Sequence, residues 1–152
     1  MQNIIVSDTS CLIILNKLDQ LDLLKNLFGY VVITDEVAEE FGLELPEFIK
    51  IKNPKNSVYK RLLDTDLDIG ESSCIALALE HKKSLLILDD QKARKKARDL
   101  KLDFTGTLGL LIIGKQKGFI NSVSEIVEKI RLSNFRISEN YLEYLLERSG
   151  EK

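Results

Sequence analysis

The chain has 152 residues, 44% hydrophobic and 30% charged, with a formal net charge of −2. Such a length suits a single domain that buries roughly two thirds of its unfolded surface, and the composition is ordinary for a soluble globular protein, so disorder is not the default expectation. The longest apolar run, residues 110–113 with Leu108 and Gly109 before it, falls far short of the roughly 20 residues a membrane span requires. No basic start followed by a long apolar stretch opens the chain, so no secretory signal is expected. Cys11 and Cys74 are unclustered and set in apolar surroundings. They read as buried free thiols in a protein of the reducing cytoplasm.

Residues 3–7 form an apolar, β-branched run that predicts a buried parallel strand. Asp8, Thr9 and Ser10 are all capable of capping a helix over 11–18, and Asp19 or Asp22 starts another that Gly29 stops. Residues 30–33 predict a second strand, with Thr34 as cap of the next helix and Asp35 and Glu36 suited to its dipole. Pro46 and Pro54 bracket a short strand over 48–52, followed by a helix over 56–64 and a polar break over 64–70. A helix is expected over 72–81 with Ile75, Ala76 and Leu79 inward, a strand over 84–88, and a helix over 91–101. Residues 103–105 predict a last strand, with Gly106, Thr107, Leu108 and Gly109 at the mouth of another helix. Two amphipathic helices follow, over 123–132 and 139–148 within a C-terminal helical region of about 121–148. No repeat or linker divides residues 1–152, so one domain is expected. Alternating strands and helices imply an α/β fold: a three-layer α/β/α sandwich around a mainly parallel sheet.

Acidic residues recur where strands give way to helices, or on a helix just after one: Asp8, Glu40, Glu71, and the pair Asp89 and Asp90. Asp8 and Asp89 each fit a helix cap as readily as a ligand, and Glu71 fits a first-turn residue favoured by the helix dipole. Glu40 lies three residues after Val37 and beside Phe41, at the edge of that helix's apolar stripe, whereas Glu36 and Glu39 fall toward solvent. Their joint occurrence favours a site. In an α/β sheet the carboxyl ends of the parallel strands share one edge, where crevices form. Carboxylates gathered there repel one another and raise at least one pKa. Hard divalent ions such as Mg²⁺ or Mn²⁺ prefer oxygen ligands, and two of them roughly 4 Å apart make a phosphodiester-cleaving centre. His81, the only histidine, reads as a surface residue at a helix end.

The segments Val6-Ser7-Asp8-Thr9-Ser10, Ile33-Thr34-x-x-Val37-x-x-Glu40-Phe41, Gly70-Glu71-x-x-x-Ile75-Ala76-Leu77-Ala78 and Leu86-Ile87-Leu88-Asp89-Asp90 resemble the PIN-domain family of metal-dependent ribonucleases. The stretch Thr105-Gly106-Thr107-Leu108-Gly109 resembles a prokaryotic subgroup close to the toxins of toxin–antitoxin pairs. The resemblance runs from residue 4 to about 145. It implies an acidic quartet of Asp8, Glu40, Glu71 and Asp90 binding Mg²⁺ or Mn²⁺, with Asp89 as an alternative or auxiliary ligand. Ser10 and Thr107 would support it through their hydroxyls. The chain departs from the family pattern at Ser73, where many relatives carry a second acid, and at Thr34, where a Pro is usual.

The helix after Asp90 buries Ala93, Ala97 and Leu100 at helical spacing and leaves its basic residues outside. Lys92, Arg94, Lys95 and Arg98 serve equally as a solvated face or as the cations an RNA backbone needs beside carboxylates. Expected partners are RNA, an antitoxin protein and a second copy of the chain, with no membrane contact. Ile126, Ile130, Tyr141 and Leu145 of the last two helices are expected in the core, with some available to a dimer or an antitoxin. The competing function is a PIN scaffold of weak or absent catalysis that binds RNA or a protein. An aspartyl-phosphate hydrolase is disfavoured because Ser10 stands where a second Asp is needed.

Overall fold

The computed structural model describes residues 4–152; Asn3, included in the first expected strand, lies outside them. The first strand, β1 (Ile4–Ser7), leads through Asp8 into α1 (Thr9–Lys17), and α2 (Asp22–Phe28) ends at Gly29. There follow β2 (Val31–Ile33), α3 (Asp35–Phe41), β3 (Ile49–Ile51) and α4 (Ser57–Leu63). The chain continues through α5 (Ile69–Leu79), β4 (Ser84–Ile87), α6 (Gln91–Asp99) and β5 (Asp103–Thr105). It closes with α7 (Thr107–Gln116), α8 (Val123–Leu132) and α9 (Glu139–Arg148).

The strands form one sheet in the order β3-β2-β1-β4-β5, and every neighbouring pair is parallel. Helices cover both faces, which makes the fold a three-layer α/β/α sandwich. Both-sided burial explains why all of β2, and Val6, Leu86 and Ile87 of the two central strands, are apolar and enclosed. The chain begins at the middle of the sheet, builds outward through β2 and β3, then returns to lay β4 against the other side of β1. Ile4 to Ser7 pair in register with Ser84 to Ile87. The order therefore reverses at β1, and a crevice opens at the carboxyl ends of β1 and β4.

Helix α5 differs most from expectation. It begins at Ile69, three residues before the expected start, because Asp68 accepts from the Glu71 N–H at 2.8 Å and caps it. Burial is not confined to one stripe either: Gly70 and every residue from Ser72 to Ala78 are enclosed, while Leu79 is only half-buried. The small residues of this helix let α3, α4 and α6 crowd around it against the sheet. Leu100 is a second correction. It forms the C-cap of α6 and stays 38% exposed, leaving Ala93 and Ala97 as the buried face.

Ile126, Ile130 and Leu145 lie in the core as expected, whereas Tyr141 is exposed. The C-terminal helices are clasped by Glu151, whose carboxylate accepts from the backbone and hydroxyl of Ser124 at 3.0 and 2.9 Å and pairs with Lys115 at 3.3 Å. The backbone donors Ser124 and Val123 and the other polar partners hold that carboxyl at about 2 despite the opposing effect of desolvation. Both cysteines are buried free thiols; burial first, then the Asp8 charge, pushes their pKa values up and keeps them protonated.

Candidate functional site

Asp8 sits at the point where the sheet order reverses. Its backbone N–H donates to Ile87 O of β4 at 3.0 Å, so the ends of the two central strands are stitched together. One carboxylate oxygen accepts from Cys11 N at 2.9 Å and caps α1; the other accepts from Asp89 N at 3.0 Å. The residue is 4% exposed. Burial first, and the neighbouring Asp89 charge second, push its carboxyl up to about 7 against the pull of those two donors. Asp8 is thus both a cap and a strained carboxylate, and the two sequence readings of it are compatible.

Three further carboxylates approach Asp8 from helix ends. A small pocket of about 50 Å³ is lined by Asp8, Thr9, Ser10, Glu40, Asp68 and Glu71. Glu40 reaches it from the last turn of α3, where its carboxylate accepts from the Thr9 hydroxyl at 3.1 Å. The same carboxylate lies directly over Gly70, where any Cβ would collide with it. Glu71 stands in the first turn of α5, and its carboxyl is pushed up to about 7 by desolvation, then by the Asp68 and Asp90 charges. Asp68 falls in the expected polar break over 64–70 and is not among the site residues the sequence predicts. The spacing Asp68-Ile69-Gly70-Glu71 is that of a capping box, with an acceptor three residues before a Glu, and it was the available signal.

The late acidic pair flanks this pocket without lining it. Asp89 is turned toward α7: one oxygen accepts from Thr107 N at 2.8 Å and the other from the Thr107 hydroxyl. Asp90 is exposed and caps α6 by accepting from Ala93 N at 3.0 Å. Among the described residues no three or more His, Cys, Asp or Glu are disposed to close around one ion. Ser10 is at the pocket wall, and Thr107 holds Asp89. Every candidate donor in and around the pocket is an oxygen, a set that fits hard divalent cations.

The basic residues of α6 are not equivalent. Lys92, Lys95 and Arg98 are exposed, although Arg98 also stacks over Phe104, 5.4 Å from its centroid. Arg94 is half-buried: its Nε donates to Leu88 O at 2.7 Å, and its guanidinium stacks on Phe104 at 5.3 Å. That guanidinium also lies across Gly106, where a Cβ would collide with it and would meet an Asp89 oxygen at 2.9 Å. Arg94 is therefore part of the wall beside Asp89. Lys115 of α7 adds nothing to this basic face, since it is occupied by Asn121 O and Glu151.

A doubly wound parallel sheet with carboxylates collected at its switch point defines an α/β protein with an acidic crevice. The chain belongs to the PIN-domain family: a family model described as a PIN domain matches residues 4–151. No curated protein and no solved structure matches the chain. PIN domains are in general nuclease-type proteins and typically use divalent metals. The two positions at which this chain departs from the expected family pattern touch each other, with Thr34 and Ser73 hydroxyls 2.6 Å apart in the core. No helix among the described residues is long and apolar enough to cross a membrane.

Proposed function

We propose that this protein is a cytoplasmic, metal-dependent endoribonuclease that hydrolyses RNA phosphodiesters, acting as the toxin of a toxin–antitoxin pair. Asp8, Glu40 and Glu71 would hold Mg²⁺ or Mn²⁺ with one or both of Asp89 and Asp90, and Asp68 would contribute from the same pocket. The observation that carries this reading is the convergence of four carboxylates from three separate chain segments, two of them held near pKa 7. Carboxyls so placed are poor as salt-bridge partners and good as ligands for a cation that removes their repulsion. A divalent cation held by these carboxylates would supply Lewis acidity toward a phosphate and would lower the pKa of water.

The chain's own residues perform the positioning. Asp8 is fixed by two backbone donors, Glu40 by Thr9, Glu71 by the Asp68 cap, and Asp89 by Thr107. Arg94 offers fixed positive charge beside Asp89, and Lys92, Lys95 and Arg98 attract the phosphate backbone. The likeness of residues 105–109 to toxin sequences motivates the antitoxin partner, and a second copy of the chain is the other protein partner proposed.

A second reading, a PIN scaffold that binds RNA or a protein without cutting, is favoured by one observation. Asp89 and Asp90 direct carboxylate oxygens to Thr107 and Ala93, and no group closes around an ion. Incubation with single-stranded RNA in Mn²⁺, in EDTA, and with Asp8→Asn or Glu71→Gln separates the two. Cleavage that needs Mn²⁺ and is abolished by either substitution is the expected result. RNA that is bound but left intact by the wild type supports the scaffold, and cleavage undiminished by EDTA removes the metal from the account.

A further inference from the structure

A second cavity, of about 430 Å³, is several times the volume of the acidic pocket and is built from different chemistry. The segment after β3 forms one wall, with Lys52 and Lys55; the end of α5 forms the other, with Leu79 and His81; Tyr59 enters from α4. The walls are held open by polar ties. Asp35 N donates to Asn53 Oδ1 at 2.8 Å and Asn53 Nδ2 donates to Asp35 Oδ2 at 2.9 Å. Lys55 N and Asn56 N donate to the two oxygens of Glu80 at 2.9 and 2.8 Å. The one carboxylate in the cavity is thereby engaged with backbone. Lys52 and Lys55 form no ion pair among the described residues.

The lining therefore combines two ammonium groups outside any ion pair with a polar rim, the aliphatic Leu79, and Tyr59, which is 42% exposed. The Lys55 charge nonetheless helps hold the Glu80 carboxyl below its usual range. His81 bonds Leu77 O through Nδ1 at 3.0 Å, which leaves Nε2 as its free edge. Lysines suit phosphate, and an exposed Tyr face suits a stacked base, the sequence-tolerant contact of single-strand binding. The volume lies in the range of pockets that enclose small ligands, roughly 300–1,000 Å³. We propose that this cavity is a nucleotide-binding groove that receives one nucleotide of the RNA strand away from the cleavage point, with its phosphate on Lys52 and Lys55 and its base on Tyr59. The inference rests on RNA as the substrate of the acidic pocket. Geometry links the two sites, since α5 carries Glu71 at its start and Glu80 at its C-cap. Nine residues at 1.5 Å rise separate them by about 14 Å along the helix axis, a span that a few nucleotides cover.

The single histidine supplies a private reporter. In EDTA, where no metal-dependent turnover occurs, 5′-AMP and inorganic phosphate are titrated separately while the His81 ring signals are followed by NMR. AMP is expected to shift them saturably, phosphate only at far higher concentration, and Tyr59→Ala to remove the difference. Single-stranded RNAs of increasing length are then bound to wild type and to the Lys52→Ala/Lys55→Ala variant. Oligonucleotides long enough to reach both sites are expected to lose at least about tenfold in affinity in the variant. Their salt slope should fall by about 0.7 for each phosphate contact removed. The shortest oligonucleotides, which occupy only one site at a time, should lose less affinity in the variant than those that span both. AMP binding without any effect of the variant on RNA of any length assigns the groove to a free nucleotide and overturns the RNA-strand proposal. His81 signals unmoved by AMP and by RNA overturn the groove altogether. Because binding is read without cleavage, an inactive enzyme leaves both outcomes interpretable.

Discussion

Asp8 shows how one residue carries structure and chemistry together. Its carboxyl caps α1 and receives the Asp89 N–H, yet burial and the Asp89 charge hold it protonated up to about pH 7. A raised carboxyl pKa in the folded state means that the native protein binds more protons than the unfolded chain between about pH 4 and 7. That contribution to stability is fully present below about pH 4 and is lost as pH rises through about 7. Its upper limit for Asp8 is on the order of 4 kcal/mol, with Glu71 adding in the same direction. Urea unfolding in EDTA should therefore show wild type less stable at pH 8 than at pH 5, with Asp8→Asn flattening the difference. An unchanged pH slope in Asp8→Asn would mean that the carboxyl is not strained. Asp8, Glu40 and Glu71 could be read from the chain as acids at element ends. Asp68 could not be so read without recognising that its spacing from Glu71 makes a cap, since a run of polar residues before Gly70 looks the same as a loop.

At the scale of elements, the helices that carry the acids are tied by a chain of hydroxyls. Val37 N donates to Thr34 Oγ1 at 3.3 Å, the Thr34 and Ser73 hydroxyls pair at 2.6 Å, and Ser73 donates to Gly70 O at 2.7 Å. This chain locks the start of α3 to the first turn of α5, and so sets Glu40 over Gly70 and beside Glu71. Ser73→Ala leaves the buried Thr34 hydroxyl without its acceptor and should cost about 1–3 kcal/mol in urea unfolding. A variant as stable as wild type shows that packing alone sets the two helices. Periodicity located α8 and α9 to the residue because each is amphipathic, with one buried stripe. It misplaced the start of α5 because a helix enclosed along most of its length has no stripe to follow, and Gly70 next to a polar stretch reads as a break. Leu100 failed for a different reason: the helix ends there, and the last position of a periodic pattern carries no packing obligation.

For the molecule as a whole, the alternation of strands and helices made a parallel sheet legible, but not its order. Nothing local to 84–87 states that this strand returns to pair with β1 instead of extending the sheet beyond β3; only the finished core decides that. That return is what brings Asp89 to Asp8 across 81 positions of sequence. The net charge of −2 likewise conceals its arrangement, with acids at one crevice and lysines in a separate groove. Carboxylates distant in sequence are proposed to share one divalent cation. The direct measurement is a calorimetric Mn²⁺ titration at pH 7 of wild type, Asp8→Asn and Glu71→Gln, repeated in buffers of different ionisation enthalpy. Saturable binding by wild type is expected, with release of roughly one proton as the two raised carboxyls ionise, and loss of at least about tenfold in affinity in each variant. Absence of binding in the wild type, or binding that both variants retain, contradicts it.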